Sequence, residues 1–202
     1  MTVSAFSEIR GKVRKAIRDA LGLLFADAEI DDMINEAQRE YALCSGALVG
    51  EMAVTAPEQH VFTAPADFFG PVKFIGRDGF EKPFFSWKYL HDRFPDFRTV
   101  TGTELRGIVT DFDGFGKFRL FPALPAGSAA GTFFYKRLPE ADTIETANGE
   151  ALQNHCLYQA FLLAGNDAAA IWYDRFNAAV KAESSLYRNM RPRSPYRRGR
   201  FF

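Results

Sequence analysis

The last fifteen residues, Arg188 to Phe202, hold six arginines, two prolines, no acidic residue and an aromatic end. Guanidinium groups bridge carboxylates or phosphates in a two-pronged fashion, and aromatic rings anchor in pockets or stack on bases. The residues able to do this are Arg188, Arg191, Arg193, Tyr196, Arg197, Arg198, Arg200, Phe201 and Phe202. The whole chain is neutral, with 25 basic and 25 acidic residues, but without this segment the remainder holds 19 basic against 25 acidic. An acidic body with a basic arm reads as a molecule that docks on something else. Three uses fit the arm: a solvated, disordered end, a segment that binds nucleic acid, or a docking arm that orders on an acidic protein surface. Composition suits protein docking at least as well as nucleic acid, and does not separate the two.

No other constellation carries chemistry. There is no Gly-x-Ser-x-Gly elbow, no phosphate-binding loop and no dinucleotide fingerprint; Gly114-Phe115-Gly116 is a Gly-x-Gly in a hairpin. His60, His91 and His155 stand without a second histidine or cysteine at ligand spacing, and His155 is expected on a helix flank. Asp111-Phe112-Asp113-Gly114 begins like a calcium loop but lacks the later acids, so a β-turn explains it better. Carboxylates cluster at Asp27–Asp32, where a helix N-terminus favours them, and at Glu140–Glu145, which reads as a solvated linker. Cys44 and Cys156 read as small apolar residues in helices rather than a disulfide. These features predict no catalytic residue, no metal and no cofactor. Met1 to Arg10 has no apolar stretch and contains Glu8, and no run of about eighteen apolar residues occurs, so neither a signal peptide nor a membrane span is expected.

The elements that must position the arm follow from periodicity. Ile9, Val13, Ile17, Leu21 and Leu24 recur in steps of four and three, predicting a first helix capped by Ser7 and ended by Gly22. Asp27 is expected to cap a second helix with the stripe Ile30, Ile34, Ala37, Tyr41 and Cys44. From Glu51 the period changes to two, and 15 of the 21 phenylalanines fall between Phe62 and Phe134. About six short strands are expected, including Val72–Ile75, Arg106–Thr110, Lys117–Phe121 and Thr132–Arg137, with Asp78-Gly79 as a hairpin turn. Trp87 to Phe97 fits a short helix or a long loop.

Helix returns near Gly149. Leu152, Cys156 and Leu163 form one apolar face, and Leu157, Phe161 and Ala164 another, so this helix is central or lies at a subunit interface. Gly165 ends it, and Asn166 or Asp167 caps a last helix with Ala168, Trp172, Phe176, Ala179, Val180, Leu186 and Tyr187 on one face. Glu183 sits amid that face and needs a partner: Arg14, Arg18 or a residue of another subunit. Leu157, Phe161, Ala164 and Glu183 are therefore the subunit-interface candidates. The expected fold is α+β. N-terminal helices (1–50) and C-terminal helices (146–187) form an antiparallel bundle, with a small antiparallel β-sandwich or barrel (51–145) inserted and an extended arm (188–202) trailing.

The order of these segments resembles the adaptor, or head–tail connector, proteins of tailed bacteriophages. The likeness rests on Asp27-Ala28-Glu29-Ile30-Asp31-Asp32-Met33-Ile34-Asn35-Glu36-Ala37-Gln38-Arg39-Glu40-Tyr41 and on the strand start Val61-Phe62-Thr63-Ala64-Pro65-Ala66-Asp67-Phe68. It continues in Phe118-Arg119-Leu120-Phe121-Pro122-Ala123-Leu124-Pro125 and Thr132-Phe133-Phe134-Tyr135-Lys136-Arg137-Leu138-Pro139. Thr101-Gly102-Thr103-Glu104-Leu105 departs from it, lacking the proline and tyrosine of a Gly-x-Pro-x-x-Tyr segment.

The resemblance implies a non-enzymatic structural virion protein, assembled in the host cytoplasm and placed at the head–tail junction. It implies a ring of neighbouring copies, typically twelvefold, beneath the portal protein, and a platform for tail or nozzle proteins. The arm would dock on the portal, and genomic DNA would pass through the channel without sequence-specific binding. A net-negative body suits a channel wall that must not grip DNA. Two rivals stand beside this reading: a nucleic-acid-binding module using the arm, and an enzyme or carbohydrate-binding domain with a cleft among the phenylalanines.

Overall fold

The computed structural model describes residues 6–19, 22–110, 112–146 and 148–190, the side chains of 185–190 excepted. The protein is α+β, and its chain divides into two compact units, residues 1–48 with 139–202, and residues 49–138.

In the first unit, α1 (Phe6–Ile17) buries Ile9 and Val13. It starts before Ser7, which therefore lies within the first turn, and it stops well short of Gly22. Arg18 turns left-handed at φ 60°, and the Asp19 N–H reaches back to the Arg14 carbonyl at 2.9 Å. Leu24 consequently leaves the stripe and is exposed. α2 (Asp27–Ser45) is not capped by Asp27, which is already helical; Ala26 holds the cap position, and the Glu29 carboxylate accepts the Ala26 N–H at 2.6 Å. Ile30, Ile34, Ala37 and Tyr41 are buried as the period predicts, whereas Cys44 is exposed and donates to Glu40 Oε1 at 3.4 Å. Gly46, at φ 63°, closes the helix by donating to the Ala42 carbonyl.

α4 (Gly149–Leu163) is capped by Asn148, whose Oδ1 accepts the Ala151 N–H at 3.1 Å. α5 (Ala169–Met190) follows a turn in which Asn166 Oδ1 accepts the Ala168 N–H at 2.9 Å. Ile9, Ile30, Ile34, Tyr41, Leu152, Cys156, Leu157, Phe176 and Val180 fill one core shared by α1, α2, α4 and α5. The stretch ahead of α4 is not a solvated linker. Gln38 and Asn35 of α2 hydrogen-bond its backbone and side chains, and Ile144 and Thr146 are buried.

The second unit consists of two four-stranded sheets. One orders β1 (Val49–Thr55), β8 (Ala129–Arg137), β3 (Phe68–Gly76) and β4 (Glu81–Lys82). The other orders β2 (Val61–Thr63), β7 (Lys117–Phe121), β6 (Gly107–Thr110) and β5 (Phe84–Ser86). Val54, Phe68, Phe74, Phe133 and Tyr135 from the first meet Phe62, Ile108, Phe118 and Leu120 from the second in one core. That is how a sandwich buries alternate residues of both sheets. The phenylalanines make it: Phe118 and Phe133 lie 4.9 Å apart between ring centroids, and Phe62 and Phe118 stack at 5.4 Å.

Two features depart from the expectation of six antiparallel strands. β4 and β5 are additional, two and three residues long, and β5 pairs with β6 in parallel. A parallel pair needs a crossover. Here it contains α3 (Trp87–Arg93), whose start is capped by Ser86 Oγ accepting the Tyr89 N–H at 3.2 Å. The Asp78-Gly79 turn is present, with Gly79 at φ 80° and the Phe80 N–H bonded to Asp78 Oδ1.

Candidate docking surfaces

Among the described residues no three His, Cys, Asp or Glu side chains gather as metal ligands. His155 is buried rather than on a helix flank, edge-on to Phe176 at 4.7 Å, because α5 closes over that side of α4. Burial pushes its pKa down, against the smaller pull of Glu40 and Glu36. The Cys156 thiol is pushed far up by burial and is inert. In the second unit, Arg77, Asp78, Lys82, Thr103 and Glu104 line a cavity of about 160 Å³, below the roughly 300 Å³ at which ligand pockets begin.

Among the described residues between α1 and α2, hydrogen bonds gather around Asp19. Asp19 is almost sequestered, its side chain 2 % exposed. Its Oδ1 accepts the N–H groups of Leu23 at 2.7 Å and Leu24 at 3.1 Å, and its Oδ2 accepts that of Phe25 at 3.2 Å. Arg14 completes the knot by donating to Asp19 Oδ2 at 2.9 Å and to the Phe25 carbonyl at 3.0 Å, while also gripping Asp27. Desolvation opposes the Asp19 charge, but the three backbone donors and Arg14 outweigh it and hold the carboxyl below its ordinary value. This ordering presents Leu23 and Leu24 to solvent, 83 % and 66 % exposed. Leu23 and Leu24 are thus exposed apolar side chains whose backbone N–H groups are held by Asp19.

A second apolar surface lies where α4 passes into α5. Leu163 is 70 % exposed, and Leu162 and Ile171 are exposed beside it in sequence. Phe161 is half-buried and stacks on Trp172 in parallel planes at 6.3 Å, with the Arg175 guanidinium 4.5 Å over the indole. In the second unit, Trp87, Tyr89 and Phe94 are exposed on and beside α3, and Arg93 lies 5.6 Å over Tyr89.

The residues singled out by sequence distribute unevenly over these surfaces. Leu157 is 0 % exposed in the core of its own unit, so the surface of α4 is carried by Leu162 and Leu163 instead. Ala164, the C-cap of α4, is exposed. Glu183 takes its hydrogen bond from Asn148 Nδ2 at 3.4 Å, not from Arg14 or Arg18, since Arg14 is committed to Asp19 and Asp27; burial raises the Glu183 pKa. Arg188 lies within α5 with its side chain undescribed. Arg191, Arg193, Tyr196, Arg197, Arg198, Arg200, Phe201 and Phe202 lie outside the described residues. Sequence reasoning missed the Asp19 knot. Its one local signal was an aspartate just past a helix end, five residues after an arginine.

Residues 4–199 match the family described as SU10 adaptor protein. No curated protein matches the chain.

Proposed function

The chain belongs to the SU10 adaptor protein family, and from that premise we propose that this phage structural adaptor is a head–tail connector. Copies assemble as a ring beneath the portal, typically twelvefold by the resemblance, extend the DNA channel and form the platform on which tail or nozzle proteins attach. The arm from Arg188 to Phe202 docks on the portal, its arginines on acidic groups and its aromatics in pockets.

The observation that carries this reading is the extent of the family match, which spans both compact units and nearly the whole arm. One feature supports it. Leu23 and Leu24 are exposed while Asp19 holds their backbone N–H groups, so a contact there needs little reorganisation on binding.

The test is native mass measurement and negative-stain imaging of the full chain, alone and mixed with the portal ring encoded by the same genome. A new ring of matching symmetry on the portal is the expected result. A chain that leaves the portal unaltered overturns the reading.

A further inference from the structure

The outer face of the sheet that contains β7 buries a charge. Along β7, Phe118 and Leu120 belong to the sandwich core, so Arg119 and Phe121 lie on the opposite face. There Leu90 of α3, Phe97 from the loop after it, Val109 and Phe121 form a small second core. Arg119 sits opposite Val109 in the β6–β7 register and is 8 % exposed.

Two guanidinium groups meet at this place over one ring. Arg119 Cζ lies 5.2 Å and Arg98 Cζ 5.1 Å from the centre of Phe112. Phe112 is packed edge-on against the buried Phe97, with 6.1 Å between ring centroids. Arg119 Nη2 donates to the Arg98 carbonyl, and neither guanidinium makes another hydrogen bond among the described residues. No carboxylate there pairs with either arginine. Burial pushes the Arg119 pKa down, and the charge of Arg98 pushes it the same way. A desolvated cation with a second cation beside it is costly, and an anion placed between the two removes both penalties.

The chemistry of the surroundings selects the anion. Guanidinium edges present parallel N–H groups that match the paired oxygens of a carboxylate or a phosphate. Asp96 stands two residues before Arg98 and Asp113 directly after Phe112, both exposed. A nucleic-acid backbone, charged at every step, would have to run past these acids. One carboxylate on a side chain reaches the arginines without doing so. Phe94, 52 % exposed, supplies an apolar neighbour, its ring 6.2 Å from that of Phe121.

We propose that Arg98, Arg119 and Phe112 form a receptor for a carboxylate side chain of a protein partner, with Phe94 meeting an apolar residue beside it. Arg119 is the fixed half, held by its strand and by the Arg98 carbonyl. Arg98 is the exposed half and offers its donors from the solvent side. The receptor lies wholly in the second unit and does not depend on the ring reading.

The experiment titrates the full chain with the acetylated, amidated dipeptide glutamyl-leucine, with its glutaminyl-leucine counterpart and with a short oligothymidylate. Arginine Nε–H resonances are followed by NMR at low salt, where exposed charges are least screened. Arg98→Gln and Arg119→Met identify the two signals. The glutamyl peptide is expected to shift both in the parent, and the glutaminyl peptide neither. Arg98→Gln should weaken the glutamyl peptide by about tenfold, the loss of one charge-assisted fork. Should Arg119→Met fail to fold, Arg98→Gln, at an exposed position, carries the test by itself. Signals unmoved by the glutamyl peptide, signals moved alike by both peptides, or an unchanged affinity in Arg98→Gln overturn the receptor. Tighter binding of the oligothymidylate at these two signals assigns the site to nucleic acid and overturns the carboxylate reading.

Discussion

Gln38 on α2 holds the backbone around Thr143, 105 residues downstream. Its side-chain amide donates to the Thr143 carbonyl at 2.9 Å and accepts the Glu145 N–H at 3.0 Å. Asn35, one turn earlier, does the same for Asp142, donating to its Oδ1 and accepting its N–H. Two amide side chains thus fasten the segment on which the chain returns to the helical unit.

Replacing Gln38, itself buried, by alanine removes the side chain that bonds the part-buried Thr143 carbonyl and Glu145 N–H. The expected cost is about 1–3 kcal/mol. Urea unfolding should show it, and hydrogen exchange should locate the loss of protection at Glu145.

The Asp19 knot predicts a split between order and stability. Asp19→Ala should free the N–H groups of Leu23, Leu24 and Phe25 to exchange, while Leu23→Ser with Leu24→Ser should leave both exchange and unfolding unchanged. The double leucine variant should nevertheless weaken association between copies. If it assembles as the parent does, the leucines are not a contact.

His155 predicts a pH dependence with a definite sign. Burial lowers its folded pKa below the ordinary 6.5, so the folded state prefers the neutral ring. The stability this confers is complete above the unfolded value and is lost as pH falls from 6.5 through the folded value. Asp19, also lowered, adds a loss of the same sign in the acid range below 3.8. Glu183, raised by burial, acts oppositely, and its contribution declines as pH rises past 4.5. Thermal unfolding between pH 7 and 5 should fall in the parent and flatten in His155→Gln.

A charge at Leu157 and a charge at Leu163 should behave differently. Leu157→Asp introduces a carboxylate into a closed core and should cost about 3 kcal/mol or more. Leu163→Asp should leave the fold intact and alter only association, read by native mass with the portal present.

Removing residues 188–202 should leave a folded protein that no longer joins the portal. If the truncated chain joins normally, the arm is not the docking element. Retention of the portal contact together with loss of a steeply salt-dependent DNA affinity would favour the nucleic-acid reading of the arm.

What the sequence determined by itself is local and periodic. The stripes Ile9–Val13 and Ile30–Ile34–Ala37–Tyr41 are buried because a helix brings residues three and four apart to one side, wherever the helix then packs. The Asp78-Gly79 turn is legible for the same reason, since Gly79 at φ 80° answers a requirement met within four residues. The order of such segments was also enough to reveal the adaptor resemblance.

Tertiary structure decided where polar residues find partners and where a predicted stripe stops. Arg14 turns to Asp19 and Asp27 rather than Glu183, Gln38 reaches across 105 residues, and α1 yields to the Asp19 knot before Leu24. The parallel pairing of β5 with β6, the enclosure of His155 and the withdrawal of Leu157 into the core belong to the same class. Each depends on which distant segment arrives alongside. A side chain can be matched to a hydrogen-bond partner, or covered from water, only once the chain has closed the intervening loop.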